Sequence, residues 1–385
     1  MLCDNIYHHI SRGAIAMSTP ASTLQGEYFF LPQEHILFGV DSLRLLADEV
    51  KRIGSKRVFI ITGNSLMTQS DVVTNVVQAL GSLHVGTFSA IRQHSPQSDI
   101  AQATEQAQTL NADVLVSVGG GSPIDATKAV AMALAREQGT FLPHIAIPTT
   151  LSAAEFSHLV GVTDEKTKMK SGFAHTQVTP RSVILDARLT LATPEQLWLS
   201  SGIRALDHAV ESLYAPGFHP INDVLALEAI RKLFTYLPHS KAHPDDLDAR
   251  TELQLAAWMS FFGEVNTTMG LSHNLGRRIG ASYNVPHGIT SCITLPYVMR
   301  AFAPIYTTQL DKIAPAVGLI PENLDSIQIA VAAADAVSGL IGQLGLPQRL
   351  RDVGVPESEL HTIAATTPNR ELNADEVEAL LKEIW

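Results

Sequence analysis

Cysteine, positive charge and long apolar runs are all scarce in this chain of 385 residues. Its two cysteines, Cys3 and Cys292, form no CxxC pair and are too few for a disulfide framework or a cysteine-based zinc site, which favours a reducing compartment. Lysine and arginine total 27 against 38 acidic residues, and the net charge of −11 makes nucleic acid and anionic lipid poor partners. Because we find no secretion signal and no run of about 18 uncharged apolar residues, we expect a cytoplasmic protein that binds no membrane.

The rest of the composition is that of a folded protein with a large core. Hydrophobic residues make up 45% of the chain and charged residues 17%, which excludes collagen-like, coiled-coil and disordered classes. The length predicts two domains. Residues 1–27 are predicted to form a flexible N-terminal segment, and the part before Met17 is either a leader or an ordinary frayed end.

The first half of the chain alternates apolar β-branched runs with helical periods, as α/β sheets do. Helical periodicity covers residues 41–53 and 100–110. The pattern predicts a Rossmann-like parallel sheet in a dinucleotide-binding domain over residues 28–190. The predicted strands are Arg57–Thr62, Asp113–Val118, His144–Pro148 and Ser182–Asp186.

The second half, residues 191–385, has almost no strand pattern and is predicted to be all-helical. Asn373 is a good N-cap, because Asp375 and Glu376 follow it in the first turn of the last helix. The predicted helices span residues 201–213, 223–237, 249–262, 326–344 and 375–384.

A glycine turn follows the second predicted strand and is the sharpest local signal in the first half. Gly119–Ser122 leads into a helix whose first turn contains Pro123. Glycines allow the backbone to approach a diphosphate, and a helix N-terminus offers free N–H groups to it. Phosphate binding is the chemical interpretation, and a tight turn without a ligand is the alternative. Asp125 and Lys128 share one face of that helix and form either part of the site or only an ion pair.

Two other strand ends are predicted to lie at the same edge of the sheet. Thr149 and Thr150 follow the third strand, where their hydroxyls could contact a cofactor or cap a turn. Gly63 and Asn64 follow the first strand, where dinucleotide sites often carry an acid for the adenosine ribose. No acid is present there, so the sequence admits NADP and favours it over strict use of NAD.

Three of the fifteen histidines stand out by their context. His208 lies in a helical segment one turn after Arg204, whereas His273 and His287 lie in separate glycine-containing segments. Imidazoles from separate segments can converge on one divalent metal ion. A histidine outside a site is the commoner case, so the residues alone leave both interpretations open.

Together these motifs resemble the iron-containing alcohol dehydrogenase family, with its maleylacetate reductase branch nearest. The resemblance runs from about residue 28 to the C-terminus. It implies a dehydroquinate synthase-like fold with a cleft between a dinucleotide domain and a helical domain, and a homodimer. The motifs that carry it are Gly119–Lys128, Pro148–Thr150, Ile184–Thr190, Gly202–Glu211 and Asn284–Gly288.

The resemblance also implies roles for individual residues. Its pyrophosphate loop corresponds to Gly119, Gly120, Gly121 and Ser122 together with Asp125 and Lys128. Thr149 and Thr150 correspond to a cofactor-contacting pair, and Lys170 to a lysine near the nicotinamide. The family's three histidine ligands of the metal correspond to His208, His273 and His287.

Arg204, however, stands where the family carries an aspartate ligand. A guanidinium cannot bind a cation, and its repulsion from a divalent ion is on the order of 4 kcal/mol per unit charge pair at an effective dielectric near 20. Asp207 is predicted to point about 100° away around the helix and to be a poor substitute. Arg277 likewise replaces a histidine that metal-dependent members carry. We therefore predict that the metal is absent or weakly bound, by His208, His273 and His287 if at all.

The expected function is an NAD(P)H-dependent oxidoreductase that reduces a carbonyl or activated alkene on a small carboxylate-bearing or enolisable substrate. Arg204 and Arg277 would stabilise the developing oxyanion, and one of the three histidines would transfer the proton. An iron- or zinc-dependent alcohol dehydrogenase is one alternative. A lyase or synthase with transient redox chemistry and an inactive cofactor-binding protein are the others. A further alternative is that Arg204 pairs with Asp207, Glu211 or another acid and closes the site.

Overall fold

A computed structural model describes residues 26–165, 169–216, 219–320 and 322–385. Its main sheet has six parallel strands in the order β1-β8-β5-β4-β2-β3, and β6 and β7 form a separate antiparallel hairpin. The predicted flexible segment lies almost wholly outside the described residues. The strands are β1 His35–Phe38, β2 Val58–Thr62, β3 His84–Phe88, β4 Val114–Gly119, β5 His144–Pro148, β6 Leu159–Asp164, β7 Met169–Ala174 and β8 Ser182–Leu185.

The middle of the sheet is buried on both faces, which explains the continuous apolar runs of β2, β4 and β5. Side chains alternate between two cores, so Phe59 and Leu115 pack on one face and Ile60 and Val116 on the other. This double burial fixes the register of the strands and hence the positions of the loops at their carboxyl ends.

Helices cover both faces of the sheet and form the whole second half. Helix α6 is the centre of the helical domain, because nearly every residue from Trp198 to Tyr214 is buried. The helices are α1 Leu46–Arg52, α2 Asn64–Gln69, α3 Val72–Leu80, α4 Gln97–Thr109, α5 Gly121–Gln138, α6 Glu195–Tyr214, α7 Pro220–Ala242, α8 Leu247–Phe261, α9 Leu271–Tyr283, α10 His287–Phe302, α11 Thr307–Leu310, α12 Ile313–Ala316, α13 Ser326–Leu344, α14 Leu360–Ala365 and α15 Ala374–Glu383.

The predicted fold class is confirmed. The four predicted strands and the helices of the second half are present, and Asn373 accepts hydrogen bonds from the amides of Asp375 and Glu376 in a capping box. The sequence interpretation did not include β1, β3 or the hairpin. The proposed boundary near residue 190 stays a prediction, since Val183 and Leu185 of β8 belong to the same core cluster as the helical domain.

One helix, α13, is long and apolar enough by length and composition to cross a membrane. Its apolar residues are divided between the core and the surface: Val337 and Ile341 are buried, whereas Ile327 is exposed. On another face, Asp335 pairs with Arg300 of α10. These contacts are those of a helix packed on one side against a protein core, so α13 is weak evidence for a membrane span.

Candidate active site between the two domains

Three neighbouring strands of the sheet end at one edge and bring the predicted cofactor residues together. β4 lies between β2 and β5, so Gly63 and Asn64, the glycine turn, and Thr149 and Thr150 follow adjacent parallel strands. The amide of Thr149 donates to the carbonyl of Gly119 at 3.0 Å, which ties the end of β5 to the glycine turn. This is the edge where open α/β sheets bind ligands.

The glycine turn leaves room that any other residue would fill. Gly119 has φ +134°, a conformation that L residues rarely adopt, and a Cβ on Gly120 would lie 3.0 Å from Cγ2 of Thr150. A Cβ on Gly121 would lie 3.5 Å from Oγ of Ser152. Helix α5 begins at Gly121 with no side-chain cap. The turn therefore has the backbone shape and the free N–H groups that a diphosphate requires.

Two buried hydroxyls beside the turn have no hydrogen-bond partner among the described residues. They are Oγ1 of Thr150 and Oγ of Ser152. A buried polar group without a partner costs free energy, so an orphaned pair at a candidate ligand site points to a ligand that completes it. The residues here fit a bound dinucleotide.

Replacement of Thr150 by valine is expected to weaken NAD(P)H binding by about tenfold, the equivalent of one lost hydrogen bond. Thr150 Oγ1 has no partner to lose among the residues that the structure describes, so the melting temperature should stay unchanged or rise. Titration of cofactor fluorescence measures the affinity. Thr127→Val is the matched control, because the Thr127 hydroxyl bonds the carbonyl of Pro123 inside α5. Equal cofactor affinity in wild type and T150V would contradict the assignment.

Four other predicted cofactor residues take different positions. Lys128 is fully buried, and its Nζ donates to the carbonyls of Ala154 at 2.7 Å and Leu159 at 2.9 Å. Burial lowers the pKa of Lys128. Asp125 accepts the amide of Gly161 at 3.2 Å. Both side chains thus hold the segment that leads into the hairpin, just behind the glycine turn.

The remaining two cofactor candidates are Asn64 and Lys170. Asn64 is exposed at the start of α2. Lys170 belongs to β7, but its side chain lies outside the described part of the protein. The structure therefore gives Asn64 a position open to solvent at the sheet edge and assigns no contact to the Lys170 side chain.

In the helical half of the chain, Arg204 of α6 is held by an acid and a hydroxyl. Its Nη1 lies 3.4 Å from Oδ2 of Asp207 and 3.1 Å from Oγ of Ser291, and 12% of its side chain is exposed. Burial lowers the pKa of Arg204, and the Asp207 carboxylate opposes that shift. Asp207 was predicted to point about 100° around the helix from His208 and to be a poor substitute for the missing aspartate, and its carboxylate lies 3.5 Å from Nδ1 of His273. The fully buried carboxylate faces α9 and α10, where Ser272 and Ser291 donate to it at 3.1 and 2.6 Å.

A second buried carboxylate, Glu211, lies one turn after Asp207. It accepts the amides of Gly270 at 2.7 Å and Ser272 at 2.8 Å and so caps the N-terminus of α9. Nδ1 of His273 lies 2.8 Å from Glu211 and 3.5 Å from Asp207. Burial and Arg204 act to lower the pKa of His273, but the two carboxylates outweigh them and raise it. We call Arg204, Asp207, Glu211 and His273 the ion cluster.

The three predicted metal-binding imidazoles occupy different environments. His208 is buried and stacks on Phe261, with ring centroids 4.0 Å apart, and on His273 at 4.8 Å. Burial, with smaller contributions from the cations around it, lowers the pKa of His208 well below its usual range. His287 begins α10 and is partly exposed, and the centroid of its ring lies 5.8 Å from that of His94. Within the described residues, one group of three metal-type ligands has its atoms within 4.8 Å, and it consists of Asp207, Glu211 and His273.

Arg277 of α9 lies beside the hairpin. Its side chain is exposed, and its Nη2 would lie 3.6 Å from a Cβ on Gly172 in β7. Its charge also contributes to lowering the pKa of Arg204, so the two guanidinium groups are electrostatically coupled. Both arginines therefore belong to the region between the hairpin and α6.

The family model of iron-containing alcohol dehydrogenase matches residues 32–187, and the model of the family's C-terminal region matches residues 198–385. The chain belongs to the iron-containing alcohol dehydrogenase family. The resemblance stated from the motifs is thereby confirmed, and so is its maleylacetate reductase-like branch.

Similar members of the family include curated enzymes and solved structures. The maleylacetate reductase of Pseudomonas sp. strain P51 is 32% identical over 91% of this chain and 95% of its own length. The NAD-dependent methanol dehydrogenase of Bacillus methanolicus is 28% identical over 87% of this chain and 92% of its own. The crystal structure of maleylacetate reductase from Agrobacterium tumefaciens has a TM-score of 0.82 at 27% identity and covers 94% of this chain and 98% of that one. This family member is an NAD(P)-dependent oxidoreductase.

Sequence reasoning missed Ser291 and His94 in this region, and it named Glu211 only as a possible partner of Arg204. Ser291 had no distinguishing pattern, because a hydroxyl inside an apolar helix is common. Glu211 was visible as an acid one turn after Asp207, the spacing that places two carboxylates on one face of α6. His94 was visible only as a histidine two residues before Pro96, and its nearness to His287 depends on the packing of the two domains.

Proposed function

We propose that this oxidoreductase reduces the activated alkene or carbonyl of an enolisable, carboxylate-bearing substrate with NAD(P)H and requires no bound metal. Arg204 is the residue that carries the proposal, because a permanent cation at the position of the family's aspartate ligand, 3.4 Å from Asp207, would disfavour a bound metal. The similarity to enzymes named maleylacetate reductase supports the substrate class, since maleylacetate is an unsaturated oxo dicarboxylate.

The donor set in the helical domain does not fit a divalent metal ion. Oδ2 of Asp207 and both oxygens of Glu211 already accept hydrogen bonds from two hydroxyls and two backbone amides, whereas the buried Oδ1 of Asp207 has no partner among the described residues. Arg204 supplies a positive charge beside these carboxylates, and the raised pKa of His273 favours a second positive charge on its imidazole. Within the ion cluster, the negative charges of Asp207 and Glu211 then balance the positive charges of Arg204 and His273. A dication placed there would face repulsion and would have to displace those donors.

The dinucleotide would be held at the sheet edge by the glycine turn, with Thr150 and Ser152 contributing hydroxyls. When bound, it supplies a hydride. No acid follows β2, so we propose that NADP is accepted and preferred over NAD. The amide of His94 donates to Oγ of Ser122 at 3.1 Å, which fixes the loop after β3 against the start of α5.

The residues of the helical domain would position the substrate and move charge. Arg204 and Arg277 would attract the substrate carboxylate and stabilise the oxyanion that develops during reduction. His287 is our proposed proton donor, because it is the partly exposed one of the three candidate histidines. His208 and His273 are buried, and they would shape the site from behind. The homodimer and the cytoplasmic location stay predictions.

The proposal is tested by following NADH and NADPH oxidation with an unsaturated oxo dicarboxylate and with a simple aldehyde, and by following NAD⁺ and NADP⁺ reduction with a primary alcohol in the reverse direction. We expect net cofactor oxidation with the dicarboxylate and a kcat/KM at least about 100-fold lower with the aldehyde, which lacks a carboxylate for the arginines. Higher efficiency with the aldehyde would favour an ordinary alcohol dehydrogenase. Substrate conversion without a net absorbance change would favour a lyase or synthase, and cofactor binding without turnover would favour an inactive member.

A further inference from the structure

His94 lies in a loop whose backbone is fixed from two sides. Its amide donates to Oγ of Ser122 in the glycine turn at 3.1 Å, and its carbonyl accepts the hydroxyl of Thr163 on β6 at 2.9 Å. The hydroxyl of Ser95 also bonds the carbonyl of Ser122 at 2.9 Å. The loop is therefore attached to both the cofactor edge and the hairpin.

The same two residues have an uncommon backbone conformation. His94 has φ 65° and Ser95 has φ 51°, so two consecutive residues with side chains occupy the left-handed region. Such a residue is destabilising and persists only where surrounding contacts impose its conformation. Here the bonds from Ser122 and Thr163 impose it. In this conformation the His94 ring lies against the ring of His287.

The His94 ring meets His287 edge-on. The two ring centroids are 5.8 Å apart at an interplanar angle of 83°, a favourable geometry for aromatic rings. His287 is itself the first residue of α10, where Gly288 packs so closely on α6 that a Cβ there would lie 2.5 Å from the carbonyl oxygen of Ser200. One imidazole is thus fixed to the cofactor domain and the other to the helical domain.

We propose that His94 is a positioning residue that sets the orientation of the His287 imidazole and couples it to the glycine turn. This inference rests on the proposed function, in which His287 donates the proton. The edge-on ring of His94 occupies one side of the His287 imidazole and so limits the orientations that this imidazole can take. A misplacement of about 1 Å in a reacting group can lower a rate about 100-fold.

The variant His94→Gly tests the ring separately from the backbone. Glycine accepts φ 65° without strain, so the fold should be retained or stabilised while the imidazole is removed. We expect kcat to fall at least about tenfold with cofactor affinity changed less than about twofold, and the solvent isotope effect on kcat to rise as proton transfer becomes limiting. His94→Phe keeps an edge-on ring and should restore most of kcat. Thr127→Val, which removes a buried hydroxyl inside α5 and leaves the bonds to the His94 loop in place, is the matched control.

A second readout needs no substrate. Nitrogen-15 spectra report the tautomer and environment of His287, and these should change in H94G but not in T127V. The inference would be overturned if the His287 resonances were unchanged in H94G. It would also be overturned if H94G lost kcat and cofactor affinity in equal proportion. H94F behaving like H94G would overturn it too. An inactive wild-type enzyme with altered His287 resonances in H94G would instead count against the proposed function alone.

Discussion

Replacement of Arg204 by methionine is expected to lower kcat/KM by about 100-fold to 1,000-fold, the range seen when a positioned charge that stabilises an oxyanion is lost. Methionine keeps much of the side-chain volume and removes the charge. Arg204 is exposed by 12% and is coupled to Arg277 near the hairpin, so its loss should affect the reacting centre directly. Steady-state kinetics with the preferred oxo acid measure the change.

The loss of Arg204 also leaves Asp207 without its neighbouring guanidinium, so activity and stability need to be separated. Arg204→Lys retains the charge and should recover part of kcat/KM, although the planar fork is lost. The double variant Arg204→Met with Asp207→Asn removes both charges and should restore stability without restoring activity. Wild-type kcat/KM in R204M would show that the arginine only closes the site.

Replacement of Glu211 by alanine is expected to lower the free energy of unfolding by about 3–5 kcal/mol, the cost of breaking a buried ion pair by removing one partner. Glu211 is 2% exposed, caps the amides of Gly270 and Ser272 at the start of α9, and lies 2.8 Å from His273. Its loss leaves these buried donors without their acceptor. Denaturant unfolding followed by circular dichroism measures the change.

Glu228→Gln is the matched control for Glu211. Glu228 pairs with Arg231 on α7 with 37% of its side chain exposed, and exposed pairs contribute under about 1 kcal/mol. A comparably small effect of E211A would mean that the ion cluster adds little to stability. Activity in E211A should fall as well, because α9 carries both His273 and Arg277.

The sequence predicted the fold well where one local signal was sufficient. Strands β2, β4 and β5 are buried on both faces, so their residues are continuously apolar and easy to recognise. Strand β3, His84–Phe88, is only half-buried at the edge of the sheet and contains Gly86, so its pattern is weak. The hairpin β6–β7 includes Lys170 and Gly172, and its pairing depends on contacts that no local pattern records.

The candidate site was predicted less completely, because it depends on how three helices pack around α6. Arg204 and Asp207 are three residues apart, so their pairing was a stated alternative. The contacts of Asp207 with His273 and Ser291 could not be predicted from α6 alone. They depend on α9 and α10, which pack against α6. His94 was missed because its partner is 193 residues later, in the other domain.

The central claim is that fixed protein charge, and not a bound ion, supports reduction in this member of an iron-containing alcohol dehydrogenase family. Its most direct test is metal analysis of enzyme purified without chelator, combined with activity before and after treatment with a strong chelator. We predict substoichiometric metal and a rate that changes less than about twofold on chelation or on addition of Zn²⁺ or Fe²⁺. One metal ion per chain, with activity lost on its removal and regained on its return, would contradict the account.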